Sequence, residues 1–223
     1  MNTWTWMENG HQLVIRNERQ EDRDSVERIT REAFYNIYIP GCVEHYLVHI
    51  MRDHPDFVPQ LDFVLERDGE IVGNIMYTKA RLVDETGEEK GILTFGPICV
   101  APVFQRRGYG KKLIAHSLNC AKELGCEAVV IFGTPANYVT SGFVSCQRHD
   151  VHMESGKFPT AMLVRELVPG ALTGHSWTYY DSPVMAIREE DATAYDATLP
   201  PLEKKRLPCQ EEFFILSHSS ISC

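Results

Sequence analysis

Six consecutive residues, Gln105-Arg106-Arg107-Gly108-Tyr109-Gly110, carry the chemistry that is easiest to name in this sequence. They lie where a β-rich run, Ile98-Cys99-Val100, gives way to a helical pattern, with Lys111 next in line. The first turn of a helix leaves backbone N–H groups without acceptors and carries the positive end of the dipole, so an anion is stabilised there. Gly108 and Gly110 lack Cβ atoms, which lets the backbone touch phosphate oxygens and adopt unusual angles. The loop reads as a phosphate cradle; the plainer reading is a glycine-bearing helix start over a basic patch.

Two other phosphate-binding patterns fail on spacing. A G-x-x-x-x-G-K-[ST] loop would need glycine where Gln105 stands and Ser or Thr where Lys112 stands. A G-x-G-x-x-G fingerprint would need a third glycine at Leu113.

The elements that must hold this loop follow from periodicity. Leu13 to Arg16 is a short strand. Asp22 to Phe34 is an amphipathic helix on Val26, Ile29, Ala33 and Phe34, and Gly41 to Asp53 is a second, stopped by His54-Pro55. Leu61–Glu66 and Ile71–Lys79 are strands joined through Asp68-Gly69, a hairpin signal, and Ile92–Val100 completes a three-strand meander. Gly108 to Leu124 is helical, with Gly125 placed to cap it. Ala128–Phe132 is a continuous apolar strand, a short helix opens near Pro135, and Ala161–Leu167 is another strand. This order predicts an α/β protein with a mixed, mostly antiparallel sheet and helices on both faces. Its domain spans 13–168. After it, Ser176–Tyr180 reads as a strand, Glu189–Tyr195 as a helical turn, and Leu199-Pro200-Pro201 and Leu207-Pro208 as breaks in regular structure. Residues 169–223 form a C-terminal extension packed on the domain, because Phe213-Phe214-Ile215-Leu216 is too apolar to stay in water.

Composition excludes some functions. The net charge of −9 offers no general attraction to nucleic acid. No segment approaches the ~20 apolar residues of a membrane helix, and Met1 to Gln12 is unlike a secretory leader. Cys42, Cys99, Cys120, Cys126, Cys146, Cys209 and Cys223 are odd in number and scattered, which predicts reduced thiols, no metal site and a cytoplasmic protein. The spread of His149 and His152 is too loose for a metal site. A homodimer is compatible with this reading.

The loop, with Val100-Ala101-Pro102 before it and a leucine-bearing helix after it, resembles the Q/R-x-x-G-x-G/A signature of the GNAT superfamily of N-acetyltransferases. The stretch from Gly133 to Phe143, in which Tyr138 precedes Gly142-Phe143 by four residues, is similar to that superfamily's later half-motif. Leu167-Val168-Pro169-Gly170-Ala171-Leu172 is similar to a feature of its YhbS-type branch of predicted N-acetyltransferases, and Thr134, Asn137 and Ser141 depart from that branch's pattern. The resemblance covers about residues 13–180. It implies acetyl-CoA as cosubstrate, no metal, and an amine of a small molecule or peptide as acceptor. The alternative is a non-catalytic acyl-CoA-binding or sensing module with the same fold.

The resemblance also implies roles. Gln105, Arg106, Arg107, Gly108, Tyr109, Gly110 and Lys111 would hold the pyrophosphate. Ile98, Cys99 and Val100 would bind the pantetheine arm through their backbone, in a slot opened where Gly96-Pro97 breaks the strand. The oxyanion donor would be the N–H of Cys99 or Val100. Tyr138 would protonate the departing thiolate, since a phenol with a reference pKa of about 10 stays protonated at neutral pH; otherwise Tyr138 is a packing residue. Many members carry a glutamate on the strand that here reads Phe95-Gly96-Pro97-Ile98. The base is therefore open among Glu44, His45, His149, Asp150, His152, Glu154 and a water chain. Cys99 is expected to be structural. The aromatic residues of the extension either line the acceptor site or cover a sheet edge.

Overall fold

The structure, a computed structural model, describes residues 3–221; Met1, Asn2, Ser222 and Cys223 lie outside it. Twelve strands are present among the described residues: β1 (Trp4–Glu8), β2 (His11–Asn17), β3 (Phe63–Arg67), β4 (Glu70–Asp84), β5 (Glu89–Val100), β6 (Ala128–Phe132), β7 (Val144–Ser145), β8 (Val151–His152), β9 (Phe158–Pro159), β10 (Met162–Glu166), β11 (Trp177–Tyr180) and β12 (Ser220–Ile221). Six α-helices join them: α1 (Arg23–Phe34), α2 (Glu44–Met51), α3 (Tyr109–Glu123), α4 (Pro135–Tyr138), α5 (Glu189–Asp196) and α6 (Pro208–His218). One sheet runs in the order β1-β2-β3-β4-β5-β6-β10-β7, and β11 joins it against β4 and β8. Pairing is antiparallel except at β5–β6 and β8–β11, so the expected mixed, mostly antiparallel sheet is what the chain builds.

Helices cover both faces. On one face Leu113, Ile114 and Leu118 of α3 pack on Leu65, Ile75, Tyr77 and Leu93. On the other, Val26 and Ile29 of α1 and Leu47 and Val48 of α2 pack on Val64, Met76 and Cys99. The two faces alternate along β4, as the two-residue strand period requires. α1 is fixed at its start by Arg16 of β2, whose guanidinium donates to both carboxylate oxygens of Asp22 at 2.6 and 2.9 Å. The Asp68-Gly69 turn has both residues at positive φ (51° and 85°), the geometry a two-residue hairpin needs.

Two local readings are corrected. β1 was not expected, yet Asn9-Gly10, again at positive φ (51° and 80°), turns Trp4–Glu8 back onto β2. Asn-Gly is itself a hairpin signal. Leu207-Pro208 does not break the tail: Pro208 occupies the first turn of α6, where its missing N–H costs nothing.

The feature that positions the site is a parting of strands. β5 and β6 run parallel and pair at Leu93–Val129; no further pair joins them among the described residues. Beyond that point Ile75 faces Ile98 and Tyr77 faces Phe95, so Met76 alone stands opposite Gly96 and Pro97. This bulge is the irregularity expected at Gly96-Pro97, and it turns β5 away from β6.

Candidate active site

The loop closes one end of the gap between β5 and β6. A single 3-10 turn, Pro102–Phe104, leads into it, and Gly108 (φ 81°, ψ 2°) is the residue before α3. A left-handed residue immediately before a right-handed helix gathers N–H groups on one side, a concave arrangement that favours an anion. Lys112 N donates to Gly108 O at 3.1 Å, so the N–H groups of Tyr109, Gly110 and Lys111 in the first turn have no intrahelical acceptor. A Cβ at Gly108 would meet no atom within 4 Å, which leaves the space over the loop open.

The side chains of the loop have different duties. The Gln105 amide donates to Val100 O at 3.0 Å and ties the loop to the end of β5. Arg106 is exposed and held at φ 63°, a conformation that costs a non-glycine residue energy and clusters at functional sites. Arg107 lies back on the loop, over the Phe104 ring at 5.6 Å and donating to Val103 O at 3.3 Å. Tyr109 is buried under α3 and contributes its backbone, whereas Lys111 is exposed. Lys112 is spent on structure: it pairs with Glu8 and sits over the Trp6 ring at 4.6 Å.

The strand residues divide by direction. Ala101 N–H donates to Val72 O of β4 at 2.8 Å, so alternation turns the N–H groups of Val100 and Ile98 the other way, into the gap. Cys99 faces β4 instead. Its thiol, buried and pushed up to about 12 by desolvation, donates to Asn74 Oδ1 at 3.0 Å and lies 3.5 Å from Thr30 Oγ1. That is a structural cysteine, not a nucleophile.

Tyr138 stands on the opposite bank. β6 ends at Phe132, Gly133 follows, and α4 carries Tyr138 back beneath it, so that a Cβ on Gly133 would sit 2.5 Å from the Tyr138 ring. The ring leans on Phe95 of β5 (centroids 5.9 Å apart) and on Phe143 (6.0 Å) and so bridges the parted strands. Burial pushes its phenol well above the ordinary range, and the neighbouring Tyr38 phenol adds to the shift. The hydroxyl therefore stays protonated at any working pH.

Of the candidate bases, most are engaged elsewhere. His45 is buried, 3.2 Å from the Cys42 thiol and 3.2 Å from Asp196, and burial lowers its affinity for a proton. His149 lies 3.8 Å from Glu166. His152 is held between Met153 O (2.8 Å) and Ser176 (3.2 Å). Asp150 accepts from Trp177 N through its backbone, and Glu154 lies against Tyr180. Glu44, at the first position of α2, is half-buried, and its charge adds to the burial that keeps the Tyr38 phenol and the Cys42 thiol protonated.

The tail also reaches this end of the molecule. Asp196 of α5 takes Arg31 Nε of α1 at 2.7 Å, while Arg31 and Tyr35 donate to Pro200 O (2.8 Å) and Leu202 O (3.0 Å). α6 then lays Phe213 against Tyr38, the rings tilted by 32° with centroids 4.2 Å apart. Past α6, Thr160 N donates to Ser219 O at 3.0 Å and β12 pairs with β9. Ala161, the next residue of that segment, accepts from Gly133 N at 2.9 Å. α6 thus runs from the α1–α2 connection to the bank that carries Gly133. Sequence reasoning singled out Phe213 as an aromatic residue in need of burial but missed Tyr38, its partner across 175 residues, for which there is no local signal.

Comparisons with known proteins agree with this fold. The model of the acetyltransferase (GNAT) family matches residues 28–144. An uncharacterised N-acetyltransferase of Escherichia coli K12, YhbS, is 28% identical over 163 residues, 73% of this chain and 92% of its own. The crystal structure of YhbS from Escherichia coli in complex with CoA superposes with a TM-score of 0.69 at 23% identity, covering 82% of this chain and 96% of that one. A GNAT family acetyltransferase from Brucella melitensis, in complex with acetyl-CoA, gives 0.60 at 23% identity, covering 78% and 97%.

Proposed function

Because the chain belongs to the acetyltransferase (GNAT) family, we propose that it moves the acetyl group of acetyl-CoA onto an amine of a small molecule or peptide at the gap between β5 and β6. The observation that carries this reading is the joint placement of an anion-collecting loop, a parted pair of strands and a bridging phenol along one gap. In this reading Gly108, Tyr109, Gly110 and Lys111 take the pyrophosphate on backbone N–H groups, with Gln105, Arg106 and Arg107 framing it. The pantetheine arm then lies along Ile98–Val100 and completes β5 on its open side. The thioester carbonyl meets the Val100 N–H, which stabilises the oxyanion as the amine attacks. The C–S bond breaks and Tyr138 gives its proton to the thiolate, leaving CoA thiol and the acetylated amine. The extension, through Phe213 and Tyr38, forms a wall on the acceptor side.

The test is release of free CoA thiol when the purified protein and acetyl-CoA meet a panel of amines, followed by mass spectrometry for a gain of one acetyl group. Binding of acetyl-CoA with no thiol released for any amine would return the chain to the acyl-CoA-sensing alternative.

A further inference from the structure

A cavity of about 360 Å³ lies beside the first turn of α3, lined by Glu8, Asn9, His11, Arg67, Arg107 and Tyr109. Its volume falls in the range of small-molecule sites. It stands on the β1–β3 side of the sheet, whereas the gap lies beyond β5. Glu8, Asn9 and His11 come from the β1–β2 hairpin, outside the residues 28–144 that the family model matches. An added hairpin and the loop before α3 therefore build this cavity together.

Its polar walls lack an anion. Arg67 ends β3, and its guanidinium lies over the Phe104 ring at 5.1 Å. Arg107 lies over the same ring at 5.6 Å. One ring thus gathers two guanidinium groups, and like charges so placed repel. The nearby acids are taken, Glu8 by Lys112 and Asp68 by His11 at 2.6 Å, and neither arginine has an ion pair among the described residues. Arg107 spends one N–H on Val103 O at 3.3 Å and has others in its fork to offer. Arg67 Nε is buried and reaches no acceptor among the described residues. A buried donor without an acceptor is costly, more so when charged, and a bound anion accounts for it.

We propose that this cavity is a second anion site, which holds a phosphate monoester on Arg67 Nε and the Arg107 guanidinium. The planar fork of arginine matches phosphate oxygens in pairs, which is why this ligand suits it. Arg107 and Tyr109 belong both to the cavity and to the loop proposed for the pyrophosphate, so the two anions bind side by side. Two sources carry such a group. One is the 3′-phosphate on the ribose of CoA itself, and that case rests on the acetyl-CoA reading. The other is a free phosphate monoester, which needs no cosubstrate on the loop. In the first case the cavity selects CoA thioesters over carriers that lack this phosphate. In the second it makes the protein responsive to phosphate beside its active site.

Arg67→Met tests this, because it removes the donor and keeps an unbranched stem against Phe104. Wild type and variant are titrated by calorimetry with CoA, with 3′-dephospho-CoA and with inorganic phosphate. The phosphate is added to protein saturated with 3′-dephospho-CoA, so that the loop is already filled. If CoA supplies the group, wild type binds CoA tenfold or more tighter than 3′-dephospho-CoA, and R67M binds the two alike. R67M should keep the wild-type affinity for 3′-dephospho-CoA, which also shows that it folds. Arg67→Lys, which keeps the charge and loses the fork, should retain part of the preference. If the source is free, wild type binds the two carriers alike and takes up inorganic phosphate, tenfold or more weakly in R67M. A CoA preference and a phosphate affinity that R67M leaves unchanged would overturn the site, as would a wild type that shows neither. If neither carrier binds wild type, the acetyl-CoA reading fails, and phosphate titrated into wild type and R67M decides the cavity alone.

Discussion

The Gln105 side-chain amide donates to the Val100 carbonyl at 3.0 Å, and through that bond the loop before α3 is fixed to the end of β5. In the proposed acetyl transfer, one rigid unit would therefore set the distance between the pyrophosphate and the thioester of acetyl-CoA. The bond also occupies the Val100 carbonyl and leaves the Val100 N–H as the group of that residue still open to the gap. A loop that floated free of β5 would bind phosphate without placing the acyl group.

The first prediction concerns Gly108. Its φ of 81° strains any side-chain-bearing residue, by roughly 1–2 kcal/mol, but the space around it is open, so Gly108→Val should fold. Wild type at 100 times the dissociation constant of acetyl-CoA should gain about 2.7 kcal/mol of stability, a melting-point rise of several degrees. G108V should show no rise, because the new side chain fills the phosphate space. An equal rise in both proteins, read by thermal melting, would remove the loop from cofactor binding.

Tyr138 supports the second. Tyr138→Phe keeps the contacts with Phe95 and Phe143 and deletes the proton, so kcat should fall by roughly 10²–10⁴-fold with acetyl-CoA affinity little changed. Gly133→Ala should reach a similar loss by another route, since its methyl would lie 2.5 Å from the Tyr138 ring and push it off the gap. Steady-state kinetics on both variants check this; full activity in Y138F would reduce Tyr138 to packing.

The third prediction is a stability effect of pH. The Glu44 carboxyl stands at about 7 in the folded chain against about 4.3 in an unfolded one. Between those values the native state binds more protons than the unfolded state, so this group makes stability fall as pH rises from about 4.3 to about 7. Glu44→Gln removes that contribution. Urea denaturation should find E44Q more stable than wild type at pH 8 and close to it at pH 4, and a constant difference between the two pH values would contradict the raised carboxyl.

Much of this site was legible because its determinants are local. Gly108 and Gly110 at a strand-to-helix junction announce the loop, and Gly96-Pro97 announces the bulge that parts β5 from β6. The place of Tyr138 beside Phe143 was legible from its spacing to Gly142-Phe143 in a recognisable motif. The side proposed for the acceptor was not. Tyr38 meets Phe213 through a tail whose path depends on Arg31–Asp196 and on backbone oxygens of Pro200 and Leu202, partners that no periodicity reveals. Leu207-Pro208 looked like an interruption because proline breaks helix interiors, and only the chain's course shows that it begins one. That the Val100 N–H points away from β4 likewise needs the ladder, since sequence gives the strand and not which way its N–H groups point.

The last prediction isolates α6. Ending the chain at Arg206 removes α6 and β12 and keeps the bonds of Asp196, Pro200 and Leu202 to α1, so the domain should still fold. α6 buries no residue fully and contributes Phe213, at its middle, to Tyr38 and the β12–β9 pairing beyond its C-terminal end. Its loss therefore costs little core, but it opens the side from which the acceptor arrives and frees the Tyr38 ring. The shortened protein should bind acetyl-CoA with unchanged affinity, while the KM for the amine rises tenfold or more. Phe213→Ala in the full chain should move KM in the same direction by a smaller factor, because the helix remains in place. Steady-state kinetics with the amine varied, alongside a titration with CoA, separates this from a merely structural tail. Unchanged kinetics after truncation would mean that α6 covers a sheet edge and takes no part in acceptor recognition.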